Sequence, residues 1–340
     1  MTQFASNYPD QYRTLLDKEV WEYIERCDRF YPPDTATRPI SEQRKIYTNL
    51  CREFFAGYPD TVDVEDQVIE QNGLDVSCRF YTNPESRQSP DAKTENTTLV
   101  YMHGGGFVVG DLDSHDDICA QLCKLTGLRV VSGDYRLSPE HRHPAALLDT
   151  IAVIEWVIGQ YEGPVVLCGD SAGANLVCTA AHQLRHVHDN IIGQVLIYPG
   201  LGGDIEQGSY QRHAAAPCLT LEDVVFFTGV RLTDEMLAEY QKSPTLKDKT
   251  LAPLHDDDFT RLPPTVAFGA ECDPLCDDAF HYCDAVTAAG GKAQYIHEPG
   301  LVHGYLRARH SVQAATESFN CIVNSILMLV SNEWHDLNES

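Results

Sequence analysis

Val165-Val166-Leu167-Cys168-Gly169-Asp170-Ser171-Ala172-Gly173 joins an apolar β-type run, Val165 to Cys168, to a helix-permissive run that begins at Ala172. Between the two lies Gly-x-Ser-x-Gly. A strand, a sharp turn and a helix in that order are the sequence form of a nucleophile elbow. The turn is so tight that the serine's neighbours must nearly lack side chains, which accounts for Gly169 and Gly173 around Ser171 and for small Ala172 after it. Taken alone the pattern also describes an ordinary βα loop, so its chemistry depends on partners elsewhere in the chain.

Outward from this stretch the chain alternates strand and helix, which predicts a mostly parallel sheet. Strands are expected at Thr98–Met102, Val130–Gly133, Val165–Cys168, Gln194–Tyr198, Thr265–Gly269 and Ala293–His297. Helices are expected at Ser114–Thr126, Ala145–Gln160, Ala172–His186, Asp277–Ala289 and Ser311–Val330. Before this region, Val62–Glu70 and Leu74–Thr82 alternate like a hairpin turned at Gln71-Asn72-Gly73, and Asn83–Thr97 reads as a polar surface loop. Residues 1–57 place apolar side chains at helical spacing, with a break at Tyr31-Pro32-Pro33-Asp34. Residues 200–255 interrupt the alternation with helix-like stretches and no strand. Three parts follow: an N-terminal helical cap segment (1–57), an α/β core (58–199 and 256–340) and a helical cap insertion (200–255). The two helical parts would cover the carboxyl ends of the strands, where open α/β sheets bind ligands.

A serine hydroxyl needs a base to take its proton, an acid to orient that base, and donors for the developing oxyanion. His103-Gly104-Gly105-Gly106-Phe107 follows a strand, and its glycines can aim backbone N–H groups at a substrate without obstruction. The N–H of Ala172 is the other candidate donor. The base should lie late in the chain, after the last strand. Among 14 histidines, His303 in Pro299-Gly300-Leu301-Val302-His303-Gly304 has that place, with His297 and His310 as competitors. The acid should end the preceding strand. Asp273 does so and is held extended by Pro274; Glu271, Asp277 and Asp278 are its rivals.

These motifs, His103-Gly104-Gly105-Gly106, Gly169-Asp170-Ser171-Ala172-Gly173, Asp273-Pro274-Leu275 and His303-Gly304, stand in the order of the hormone-sensitive-lipase-like esterases, which the chain resembles over about residues 40–325. Asp134-Tyr135-Arg136-Leu137-Ser138-Pro139-Glu140 matches the segment between that family's two glycine motifs. Phe107 to His115 and Glu42-Gln43-Arg44 resemble its bacterial acetyl esterases. The resemblance implies an α/β-hydrolase fold with a helical cap, and a cytoplasmic serine carboxylesterase that prefers short acyl chains. It implies Ser171 as nucleophile, His303 as base and then acid, Asp273 as the residue that orients the imidazole, and Gly104, Gly105, Gly106 and Ala172 as the oxyanion hole, without saying which of the three glycines donate. His103 and Asp170 would support the motifs, and Arg136 and Glu140 would be buried polar supports beneath the oxyanion loop. The alternatives are an amidase or deacetylase of the same fold, or a non-catalytic binding or regulatory homologue.

Across its 340 residues the net charge is −25, which sets the chain against nucleic acid and anionic membranes as partners. The expected partner is a small-molecule ester, acted on by a monomer or homodimer. The N-terminus lacks the pattern of an export signal, and the longest apolar runs, such as Ser325–Val330, are short for a bilayer. The 12 cysteines, spread from Cys27 to Cys321, read as reduced and mostly buried thiols. No cofactor and no metal are expected. His182-x-x-x-His186-x-His188 has helical ligand spacing without a third ligand, and reads as a polar helix end. Asp111-x-Asp113 opens like a calcium loop but lacks its glycine and glutamate, and reads as a helix cap.

Overall fold

The computed structural model describes residues 7–85 and 96–337. The hairpin forms β1 (Asp63–Gln71) and β2 (Leu74–Thr82). The alternating region then gives β3 (Thr98–Met102), β4 (Arg129–Asp134), β5 (Val165–Asp170), β6 (Ile191–Ile197), β7 (Thr265–Cys272) and β8 (Ala293–Val302). All eight form one sheet in the order β1-β2-β4-β3-β5-β6-β7-β8. Pairing is antiparallel from β1 to β2 and from β2 to β4, and parallel in the rest of the sheet. The order reverses around β3 and β5, so the loop after β3 and the turn after β5 emerge side by side at one end of the sheet. Such a switch point is where open α/β sheets gather their ligands.

Strands buried on both faces read as continuous apolar runs. Val165, Val166, Leu167 and Cys168 of β5 are all enclosed, whereas β1, at the sheet edge, buries only Ile69 along its length. The helices are α1 (Tyr12–Leu15), α2 (Lys18–Phe30), α3 (Ile40–Phe54), α4 (Asp116–Thr126), α5 (Ala145–Gln160), α6 (Ala172–Leu184), α7 (Gly208–Arg212), α8 (Leu221–Arg231), α9 (Asp234–Tyr240), α10 (Cys276–Ala288) and α11 (Gln313–Ser331). The core divides into two layers, one on each face of the sheet. Cys168, Val195 and Phe268 face one layer together with Phe319 and Ile322 of α11, while Leu167, Leu196 and Ala267 face the other with Leu176 and Val177 of α6.

Several expectations need adjusting. The polar loop predicted at Asn83–Thr97 falls largely outside the described residues, as does the start of the N-terminal segment. The strands at the active end run past their predicted limits, β7 by three residues to Cys272 and β8 to Val302, so the candidate acid and base sit immediately after strand ends. The short apolar run Ser325–Val330 belongs to a longer helix, α11, which has the length and apolarity to cross a membrane. Its Phe319, Ile322, Ile326 and Leu329 instead fill the layer beneath the sheet. Asp111 caps as expected, but on a 3-10 turn, Leu112–His115, whose capping box with Ser114 precedes α4. His182 is not part of a polar helix end: it is buried, with Nδ1 2.8 Å from Asp256 Oδ2 and Nε2 3.0 Å from the Tyr282 hydroxyl. His186 and His188 face other carboxylates, Asp258 and Glu155.

Candidate active site

β5 delivers Ser171 at the sheet's carboxyl end, in a backbone conformation of φ +53° and ψ −118°. That region is costly for any residue with a side chain and persists only where its surroundings enforce it. The enforcement is close packing. A Cβ on Gly173 would lie 1.9 Å from the Met102 carbonyl oxygen, and one on Gly169 2.6 Å from Gly173. The elbow therefore presses against the end of β3, which brings the serine beside the glycine loop.

His303 follows β8 directly and Asp273 follows β7, on neighbouring strands. The Ser171 hydroxyl lies 2.9 Å from His303 Nε2, and His303 Nδ1 lies 2.6 Å from Asp273 Oδ2. Asp273 is fully buried, and its other oxygen accepts the Leu275 N–H at 2.9 Å. The rivals are engaged elsewhere. Glu271 accepts the Gly300 N–H, Asp277 the Ser209 N–H and the Arg212 guanidinium. Asp278, pushed up to about 6 by burial, gathers the N–H groups of Leu201, Gly202 and Gly203 and the Tyr210 hydroxyl. His297 faces the Tyr295 hydroxyl, and His310 is exposed.

The three glycines of the loop are not equivalent. Gly104 donates its N–H to Asp170 Oδ1 at 2.9 Å, so this donor is occupied and the expectation of Gly104 in the oxyanion hole is corrected. The N–H groups of Gly105, Gly106 and Ala172 have no partner among the described residues, and all three residues line the cavity above Ser171. Asp170 also accepts from the Tyr101 hydroxyl at 2.8 Å and lies 3.3 Å from His115 Nε2. Burial would raise its carboxyl, but His115, Arg307 and Tyr101 outweigh it and hold the group well below the usual range. Asp170 is thus an anchor for the glycine loop.

His103 is sealed inside the loop, with Nδ1 2.8 Å from the Gly104 carbonyl oxygen and its ring stacked on Tyr135 at 4.4 Å. Burial, and then His115, push its imidazole down to about 4, which makes it neutral at ordinary pH and a packing element.

Two supports differ from expectation. Glu140 is exposed and Arg136 half-buried, so neither is a buried prop; Arg136 forks onto buried Asp149 at 2.7 Å, and Glu140 pairs with Arg44. Arg44 of α3 is the residue that braces the loop, donating to the Val108 carbonyl at 2.9 Å and the Ser138 carbonyl at 3.0 Å. Arg44 stood in the sequence only within Glu42-Gln43-Arg44, with no role attached, and Tyr198, whose ring lies 4.7 Å from that of His303, was not singled out. The positions of both come from contacts across long sequence separations, which no local pattern marks.

The cavity over Ser171 measures about 200 Å³ and is lined by α2, α3, Gly105, Gly106 and residues between 200 and 255, among them Phe227, Arg231 and Leu251. Among the described residues no group of three metal-binding side chains comes together.

Residues 99–307 match the family model of the alpha/beta hydrolase fold. Carboxylesterase NlhH of Mycobacterium tuberculosis is 34% identical over 263 residues, covering 75% of this chain and 79% of that protein. The acetyl esterase of Salmonella typhi is 32% identical over 317 residues, covering 90% and 92%. The solved structure of a hyperthermophilic esterase from the archaeon Pyrobaculum calidifontis superimposes with a TM-score of 0.80 at 28% identity, covering 93% of this chain and 99% of that one. The chain belongs to the α/β-hydrolase family, among its hormone-sensitive-lipase-like carboxylesterases, and is a carboxylic ester hydrolase.

Proposed function

We propose that the chain hydrolyses short-chain, acetyl-like esters through an acyl-enzyme on Ser171. His303 Nε2 takes the proton as the Ser171 oxygen attacks the ester carbonyl carbon, then returns it to the departing alcohol. Asp273 holds Nδ1–H and so fixes the imidazole in the tautomer whose Nε2 is free to accept. The N–H groups of Gly105, Gly106 and Ala172 meet the carbonyl oxygen as it becomes an oxyanion, and each such donor contributes on the order of a hundred- to thousand-fold in rate. Water, deprotonated by His303, then releases the acid. The observation that carries this reading is the hydrogen-bonded chain Ser171–His303–Asp273 at the base of the cavity, beside three unpartnered N–H groups.

Short acyl chains suit a cavity of about 200 Å³, below the roughly 300–1,000 Å³ of sites for drug-sized ligands. Residues 1–57 and 200–255 would act as the cap that sets this limit. A cytoplasmic setting belongs to the same reading and is supported by 12 free thiols, most of them buried. Initial rates on p-nitrophenyl esters from acetate to palmitate test it: the maximum is expected at acetate to butyrate, and a maximum at octanoate or longer would overturn the short-chain assignment.

A further inference from the structure

Two enclosed guanidinium groups in this molecule are paired with carboxylates. Arg309 donates to Asp117 at 2.6 Å, and Arg185 to Asp256 at 3.2 Å. This is the usual rule, because a guanidinium taken out of water needs a charged partner. Two arginines on the wall of the catalytic cavity depart from it. Arg307 is 9% exposed and makes no ion pair among the described residues, and its Nη2 meets the Tyr47 hydroxyl and the Cys51 sulfur. Arg231 is 6% exposed and has less. Among the described residues its guanidinium makes no hydrogen bond and no ion pair; it lies over the Phe107 ring, 3.7 Å from the centroid.

The position of Arg231 is set by the fold. It ends α8, and its backbone carbonyl accepts the His143 N–H at 2.9 Å. One turn earlier, Phe227 sits where a Cβ on Gly106 would be, 2.4 Å from the ring, so α8 is seated directly on the glycine loop. Phe107, the next residue of that loop, carries the guanidinium. The cation is therefore held at the cavity wall next to the loop on which the ester carbonyl would lie, with Thr228 and Tyr240 on the same wall.

We infer that Arg231 recognises a carboxylate carried by the substrate, so that the pocket takes anionic short esters in preference to neutral ones of the same shape. Burial pushes the guanidinium down, and Tyr135 and Asp248 oppose this only in part. Asp248 is itself engaged by the Thr250 N–H and hydroxyl. A bound carboxylate would supply the missing counter-charge, with the fork-to-fork geometry that arginine favours. In a chain of net charge −25 no general attraction draws anions to the surface, so preference for one has to come from a local cation. This inference rests on ester hydrolysis at Ser171 as proposed above.

The test compares kcat/KM for matched pairs. Monoethyl succinate against ethyl pentanoate places the carboxylate on the acyl side, and 4-acetoxybenzoate against 4-acetoxybenzamide places it on the alcohol side. In the parent enzyme one pair is expected to favour the anion, and which pair does so identifies the side. Arg231→Gln is expected to cut that anion-to-neutral ratio by about tenfold or more, the size of one charged hydrogen-bonded contact, while Arg231→Lys keeps part of it. Parent ratios at or below one in both pairs would overturn the inference without any variant. An Arg231→Gln that lowers both members of a pair equally would overturn it too, by making the arginine structural. If neutral esters are cleaved and only the anion preference is missing, the inference alone fails. If no ester of either kind is cleaved, the underlying reading fails with it.

Discussion

Each side chain of the proposed triad stands next to a strand end, and its partner comes from a different strand. Asp273 accepts from the His303 ring and the Leu275 N–H, a pair of bonds that an amide could only partly reproduce. Asp273→Asn is expected to lower kcat by on the order of 10⁴ with a smaller change in KM, because the imidazole would be held in the wrong tautomer. Steady-state rates on p-nitrophenyl acetate check this, and a parent-like kcat would remove Asp273 from the account. At this scale the sequence was informative where a residue had a fixed place after a strand: Ser171, Asp273 and His303 are in hydrogen-bond reach of one another. It was uninformative about Gly104. Three consecutive glycines look alike in sequence, and only the approach of the Asp170 carboxylate shows that one N–H is already spent.

The elements contribute by pressing on the glycine loop from two sides. From α3, Arg44 reaches the carbonyl oxygens of Val108 and Ser138, and from the other side α8 lays Phe227 and Arg231 against Gly106 and Phe107. Arg44→Ala is expected to lower kcat and kcat/KM together by about tenfold, since a loosened loop costs transition-state stabilisation more than ground-state binding. A rise in KM alone would contradict that role. Thr220 caps α8 through a reciprocal bond pair with Asp223. Thr220→Ala is expected to cost about 1 kcal/mol in urea unfolding; no measurable loss would show that the tertiary contacts of α8, not its cap, hold it in place. The sheet was legible because buried parallel strands announce themselves as apolar runs between helices. The helices outside the alternating region were legible as helices, from their spacing, and were expected over the carboxyl ends of the strands, but which of their residues line the cavity was not legible. Tyr23, Tyr47, Phe227 and Arg231 reach that cavity from segments far apart in sequence, and no periodicity marks which of their faces meet.

For the molecule as a whole, one buried carboxyl group makes a contribution to stability whose dependence on pH has a definite direction. Glu298 is buried beneath α11, accepting from the Ser318 hydroxyl at 2.6 Å, and burial pushes its carboxyl up from 4.5 to about 7. The folded state therefore binds more protons than the unfolded state between these values, and stability falls as pH rises through the window. Glu298→Gln removes that loss, so relative to the parent it should gain more stability at pH 8 than at pH 5 in urea unfolding. An equal effect at both pH values would contradict the assignment. The acidic surface and the α/β core set where the chemistry can occur, but the account stands on Ser171. Its most direct test is peptide mapping of the protein after inactivation by diethyl p-nitrophenyl phosphate. The account predicts a single diethylphosphoryl adduct on Ser171, formed in step with loss of esterase activity; inactivation with the adduct on another residue, or full activity with Ser171 modified, would contradict it.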